Sequence, residues 1–240
     1  MKKVGSIQGI FRHPVKAMRG EQLPECQVDQ FGLYGDRSHY FLDDSRNGKY
    51  LSADVVPALL GYHATLEQGD GQDQYPAVRV QAPDGSLHNW GESLFAHVGE
   101  TAGRPVTPLK STPQEGGKNW EDHILVVTDA SLREISRIAG VDPLDPRRFR
   151  GNLLIVLEED EPFAEERWIG KQLTIGDVVL QVNRTCDRCM YVNVDPDTLK
   201  QNPAVLKACY QRNGNQFGVY ASVVATGTVS HGDSVYVSED

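Results

Sequence analysis

Cysteine is scarce in this chain: Cys26, Cys186, Cys189 and Cys209 are its only four in 240 residues, too few to staple a scaffold of this size. Long apolar runs are missing too. The greasiest stretches, residues 124–127 and Leu153–Leu157, have strand length, far short of the roughly 18 residues a membrane helix needs. Basic charge is in deficit, with 24 Lys and Arg against 33 Asp and Glu and a net charge of −9. Nucleic acid and anionic membrane surfaces repel such a body at long range, so neither is expected as a partner. The N-terminal segment is charged and interrupted by glycine through Gln8 and Arg12, where a signal peptide would carry an apolar core. A cytoplasmic protein with reduced thiols is expected. What remains, 39% hydrophobic and 24% charged residues, is ordinary for a globular chain and excludes wholesale disorder.

Short strands separated by turns dominate the pattern. Residues 4–11 alternate before His13-Pro14, and residues 40–42 and 49–52 flank a hairpin turn containing Asn47-Gly48. Further strands are predicted over 77–80, 124–127, Leu153–Leu157, 178–182, 219–224 and Ser234–Val237. Many short, evenly spaced strands favour a barrel or sandwich over a parallel α/β sheet. Helices are few. Leu132, Ile135, Ile138 and Ala139 share one face before Gly140, with Ser131 and Glu134 at capping-box spacing. Asn202-Pro203 opens a second helix whose buried face is predicted at Leu206 and Cys209-Tyr210, and a third is expected over about 92–101. Three prolines between Arg104 and Lys118 predict a linker there, with a domain boundary near Arg104.

The densest chemistry is Arg184-Thr185-Cys186-Asp187-Arg188-Cys189, followed by the turn Asp195-Pro196-Asp197-Thr198. Three readings stay open. Structural zinc needs four ligands, usually two such cysteine pairs, and neither Cys26 nor Cys209 has a partner at ligand spacing. A dithiol redox couple has this spacing, but such pairs open a helix in a βαβ unit, whereas this one lies between strand patterns. The third reading is an activated thiolate. A free thiol is only a few per cent ionised at neutral pH, and Arg184 and Arg188 would raise that fraction. A lone thiolate among cations suits a soft metal whose other ligands come from a cofactor. The plainer alternative pairs both arginines with Asp187 and Asp195 at the surface. Other basic residues, Lys16, Arg19, Arg37 and Arg147-Arg148-Phe149-Arg150, also sit near turns. If they converge, they form a cationic pocket on an anionic body, the arrangement that concentrates a small anion.

These residues carry a resemblance. In the N-terminal part it rests on His13-Pro14-Val15-Lys16, Arg19-Gly20 and Gly32-Leu33-Tyr34-Gly35-Asp36-Arg37. In the C-terminal part it rests on Phe149-Arg150-Gly151-Asn152, Ile175-Gly176-Asp177 and Cys186-Asp187-Arg188-Cys189 with Val194-Asp195-Pro196-Asp197-Thr198. Phe217-Gly218 and Gly232-Asp233 add to it. The sequence resembles the MOSC superfamily over essentially its whole length, and within it the two-part proteins that include the mitochondrial amidoxime-reducing components. The resemblance implies a mainly β protein with a few helices: a β-barrel MOSC domain over 105–240 and an N-terminal β-barrel-like domain over 1–104.

It also implies a pterin-based molybdenum cofactor at the junction of the two parts. By resemblance, Cys189 is the thiolate ligand of the metal, while Lys16, Arg37, Arg150, Asn152, Asp187 and Arg188 hold the cofactor's phosphate and pterin. Asp122 and His123 fall near the place where relatives present an acidic residue to the metal, and an imidazole of near-neutral pKa suits proton delivery to oxygen leaving as water. Two positions depart from the family pattern. Ala17 stands where relatives often have serine, and Asp187, also commonly serine, brings a negative charge near an anionic cofactor. The implied activity is two-electron reduction of a small-molecule substrate with removal of oxygen, N-hydroxylated compounds being the candidates. No cysteine-rich iron–sulfur cluster domain is expected in this chain, so electrons would come from a separate donor protein. The rivals are a non-catalytic carrier of sulfur or cofactor on Cys189, and a barrel binding another small anion with Cys189 inert.

Overall fold

The computed structural model describes residues 1–67, 69, 74–119 and 122–239. Among these, the dominant element is a closed barrel of β1 (Lys2–Arg12), β2 (Ile124–Thr128), β3 (Leu153–Leu157), β4 (Gln172–Ile175), β5 (Val178–Asp187), β6 (Gln216–Ala225) and β7 (Ser234–Val237). Going round, the order is β1-β3-β2-β6-β5-β4-β7 and back to β1. All neighbours are antiparallel except β2 and β3, which run parallel. Thus β1, on the N-terminal side of the expected boundary, closes a barrel whose other strands lie beyond it, with Ile7 opposite Ile155 and Lys3 opposite Tyr236. Closure leaves no unpaired edge among these strands.

The barrel interior is aliphatic: Ile7, Ile10, Ile124, Val126, Ile155, Leu173, Leu180, Val182, Val219 and Val235 are all buried in one cluster. Strand β2 is buried on both faces. Its alternate residue Val127 packs outward with Phe149, Phe217 and the helices α2 (Asp129–Ala139) and α3 (Pro203–Asn213), which explains its unbroken apolar run. The α2 helix forms the crossover that a parallel β2–β3 pair requires. Gly140 stops it in the left-handed conformation at φ 66°.

Several local expectations differ. Ser131 and Glu134 do not form a capping box. The N-cap is Thr128, and Ser131 lies inside the helix with its hydroxyl 2.8 Å from the buried Glu165 carboxylate. In α3, Asn202 accepts the Ala204 N–H as predicted, but Tyr210 is 69% exposed and the buried face is Val205, Ala208 and Cys209. One residue beyond Cys209 is about 100° further round the helix, which turns Tyr210 outward. The predicted linker contains the strand Val106–Lys110, which pairs along His39–Asp43 with Pro108 opposite Phe41. It is the outer strand of that sheet, where proline's missing N–H costs no ladder bond.

The rest of the N-terminal part contributes to three three-stranded sheets: one pairs Glu25–Asp29 and Gly32–Leu33 with Gly227–Ser230, and the other two, with α1 (Glu92–Ala102), surround a second core that includes Val15, Met18, Phe41, Tyr62, Leu94 and Val98. Among the described residues, no helix is long and apolar enough to cross a membrane.

Candidate functional site

Between this second core and the mouth of the barrel lies a cavity of about 1180 Å3. Loops from both parts line it. Of the residues singled out in the sequence, Lys16, Arg37, Asp122, Arg150, Asn152, Asp187, Arg188 and Cys189 all reach it, as do Ala17 and Cys186. His123 is not among its lining residues. Its Nδ1 instead accepts the Val223 backbone N–H at 3.2 Å and its ring meets Phe31 edge-on, so it braces the barrel wall.

The cysteines sit where β5 runs out. Its register against β6 shifts between Val182 and Arg184 and again between Thr185 and Asp187, and these bulges turn the strand end. The Arg188 N–H then donates to the Asn215 carbonyl, and Cys189 begins a short 3-10 turn over Met190–Asn193. Cys186 is buried and Cys189 exposed on the cavity. Arg188 points back from the loop, donating through Nη1 to Cys186 Sγ at 2.8 Å and through Nη2 to the Phe149 carbonyl at 2.6 Å. The surface pairing of Arg184 and Arg188 with Asp187 and Asp195 does not occur: Arg184 meets Asp122 at 3.5 Å, and Asp195 pairs with Arg148. None of the four cysteines is in a disulfide, and among the described residues no three His, Cys, Asp or Glu form a metal-binding group. Cys26 and Cys209 are buried and pushed up to about 11, mainly by burial, which makes them inert thiols.

Three cations line the same cavity as the cysteines. Lys16 Nζ donates to the Lys118 carbonyl at 2.7 Å, Arg150 Nη1 to the Met18 carbonyl at 2.7 Å, and Arg37 Nη2 to the Arg150 carbonyl at 3.3 Å. Their carboxylate is Asp36, which pairs with Arg37 and accepts the His13 backbone N–H at 2.7 Å and Asn152 Nδ2 at 3.0 Å. Asn152 Oδ1 in turn accepts the Leu125 N–H, so one buried amide ties this wall to β2. Ala17, Arg37 and Arg150 all adopt left-handed backbone, with φ of 71°, 52° and 53°. Non-glycine residues are seldom found there, and such strain gathers at functional sites. Gly117 is required nearby, because a Cβ would lie 1.8 Å from the Asp36 carbonyl oxygen.

The charge balance is uneven. Burial, then Arg37 and Arg150, pushes Lys16 down to about 8. Burial, then Arg37, pushes Arg150 down to about 10. Among the described residues these three cations share the buried carboxylate of Asp36, a wall suited to a ligand anion, and each charge-assisted hydrogen bond to such an anion is worth roughly 1.5–3 kcal/mol. Protonated Lys16 is the binding form, so anion affinity is full below pH 8 and falls as pH rises through that value. Sulfate, whose own charge is constant there, should bind up to about tenfold more weakly per pH unit above 8. Titration calorimetry checks this. The component lost in Lys16→Gln should carry the pH dependence, and a flat profile to pH 10 would refute the assignment.

Tyrosines that the sequence reading missed complete the cavity. Tyr40, Tyr50, Tyr191 and Tyr220 line it, and Lys49 and Arg46 extend it along the 39–50 hairpin. Tyr191 follows the cysteine motif closely enough to have been noticed; the other tyrosines carry no such signal. Burial, then Cys186, pushes Tyr220 upward, which keeps it a neutral donor. Arg19, Arg147 and Arg148, expected to converge with the others, do not line this cavity.

Two family models cover nearly the whole chain: the MOSC N-terminal beta barrel domain over residues 4–92 and the MOSC domain over residues 97–236. The chain belongs to the MOSC family. Among its relatives, human mitochondrial amidoxime-reducing component 1 is 24% identical, over 99% of this chain and 84% of the relative's length. Molybdenum cofactor sulfurase of Danio rerio is 37% identical over 91% of this chain, which spans only 32% of that protein. Among solved structures, the YUAD protein of Bacillus subtilis superposes with a TM-score of 0.52 at 14% identity, covering 98% of this MOSC chain and 95% of its own. Family membership and these relatives tie the protein to a molybdenum-cofactor-related function.

Proposed function

We propose that this chain is a molybdenum-cofactor-dependent oxidoreductase that removes oxygen from N-hydroxylated small molecules by two-electron reduction. The observation that carries the reading is an exposed thiol, Cys189, that lines one large cavity together with Lys16, Arg37 and Arg150. A metal complex with a phosphate arm fits that donor set: soft sulfur for the metal, guanidinium and ammonium for the phosphate. At about 1180 Å3 the cavity exceeds the roughly 300–1,000 Å3 of ordinary ligand sites, leaving space for substrate beside a cofactor.

In this reading Cys189 ligates the metal, Lys16, Arg37 and Arg150 hold the phosphate, and Asn152 and Arg188 stiffen the walls behind it. When bound, the cofactor supplies the electron pair and the Lewis-acid centre for reductive loss of oxygen as water. Asp187 also lines the cavity, and because a carboxylate repels a phosphate the proposal assigns it to the substrate side. Asp122 is held by Asn183 Nδ2 at 3.1 Å and Arg184 at 3.5 Å, an orientation suited to relaying a proton to the departing oxygen. His123, turned into the wall, takes no part. Electrons come from a separate donor protein, and the protein works in the cytoplasm.

The test is expression in a host that makes the cofactor, followed by metal and released-pterin analysis and a benzamidoxime reduction assay with a chemical reductant. About one metal and one pterin per chain are expected, with turnover reduced about a hundredfold in Asp122→Asn. Absence of both metal and pterin would overturn the proposal. The likeness to a sulfurase and the exposure of Cys189 favour a second reading, a sulfur or cofactor carrier. A stoichiometric persulfide on Cys189 by mass spectrometry, without turnover, would select it.

A further inference from the structure

Behind the cofactor-type cavity lies a second one of about 610 Å3, and Arg150 and Tyr191 line both. Its charged walls are Arg19, Arg147, Arg148 and Arg150, with His13 and His63 beside them. One carboxylate, Glu21, lines it, and that group is already engaged by Arg12 at 2.8 Å. The arginines do have ion-pair partners: Arg19 and Arg147 meet Asp197, Arg147 also meets Asp145, and Arg148 meets Asp195. None of those aspartates lines the cavity, so they hold the guanidinium groups from outside while the cavity is faced by cations.

A second observation is independent of charge. His13 is buried, lines this cavity, and has no hydrogen-bond partner in the protein at either ring nitrogen; Arg19 Nε and Arg148 Nε are likewise buried without one. Buried polar atoms without partners are rare and call for an explanation. Gly20 keeps the imidazole in place, since a Cβ there would lie 2.0 Å from the Arg12 carbonyl oxygen and 2.6 Å from His13 Nδ1. Apolar walls complete the space, with Phe11, Leu60, Tyr191 and Val194 opposite the arginines.

We propose that this cavity is a second ligand site, for a small molecule that carries a phosphate or carboxylate group on a partly apolar body. The arginines take the oxyanion, for which forked N–H donors are suited, and Phe11, Leu60 and Val194 take the body. The volume falls within the range of small-molecule sites. The proposal does not depend on the cofactor reading, because Lys16, Arg37 and Cys189 are absent from these walls.

Calorimetry with phenyl phosphate and phenylacetate, run on the Lys16→Gln protein, separates this site from the larger cavity. One saturable site per chain is expected with at least one probe, and the probe that binds more tightly names phosphate ester or carboxylate as the natural group. Arg19→Gln should weaken it about tenfold or more, the loss of one charge-assisted contact. That substitution also removes the pair with Asp197, so Gln22→Trp provides a second, milder test. Gln22 is an exposed residue on the cavity rim, and an indole there should block entry without touching the core. Absence of saturable binding by either probe would overturn the proposal. So would binding that survives both substitutions unchanged.

Discussion

Replacing Cys189 with alanine should strip the protein of molybdenum and pterin while leaving its fold intact. The side chain is exposed on the cavity, so its removal opens no hole in a core and deprives no buried donor of its acceptor. A surface substitution of this kind changes stability by no more than about 0.5 kcal/mol, or roughly 1–2 °C in a chain of this length. On the proposed function, metal content, by contrast, should fall tenfold or more, because in that reading the one thiolate is the soft ligand and the cationic wall holds the anionic arm. Cys209→Ala provides the control. That thiol is fully buried in α3 and pushed up to about 11, so its loss should lower the melting temperature and spare the metal. Full occupancy in Cys189→Ala would end the ligand assignment, whereas loss of pterin with retained metal would place the wall's contribution above that of sulfur. Inductively coupled plasma analysis and pterin fluorescence on one preparation read both quantities.

The same two cysteines show how far sequence reasoning reached. Cys186 and Cys189 differ by three positions and have identical chemistry, yet one is buried under Arg188 and the other exposed. The bulges that turn the end of β5 decide this, and no propensity or periodicity encodes them. The barrel strands were legible because apolar residues recur at every second position, and β2 and β3 because they are covered on both faces. Their assembly was not legible. Ile7 meets Ile155 from far along the chain, and the alternation of residues 4–11 carries no sign of which strand it pairs with. The arginines illustrate a similar limit. Their clustering near turns was visible, but the sequence could not say that Arg150 stands between two cavities, with Lys16 and Arg37 on one side and Arg19 and Arg147 on the other. The capping box failed for a specific reason: Ser131, a good cap by spacing, is drawn inside to the buried Glu165. Long-range polar contacts overrode local preference there, as they did when the Val223 N–H claimed the imidazole of His123.

Asp36→Ala should be the most destabilising single substitution at the site, because Asp36 is where the N-terminal loops and the barrel are joined electrically. It is 3% exposed and accepts from the His13 N–H and Asn152 Nδ2 while pairing with Arg37. Truncation leaves Arg37 charged and uncompensated beside Lys16 and Arg150, and strands an N–H and an amide in the interior. Breaking a buried pair in this way costs about 3–5 kcal/mol. In a 240-residue chain that corresponds to a fall in melting temperature of roughly 6–20 °C. An exposed pair such as Lys3–Glu158, screened by solvent, should leave the melting temperature nearly unchanged when cut. If the deficit arises from stranded positive charge, Asp36→Ala/Arg37→Ala should be more stable than the sum of the single losses predicts, and added sulfate should raise the melting temperature of Asp36→Ala more than that of the wild type. Both comparisons are thermal melts followed by circular dichroism. Additive losses with no sulfate effect would show that Asp36 acts through its hydrogen bonds alone, and the wall of three cations would then need no anion to balance it.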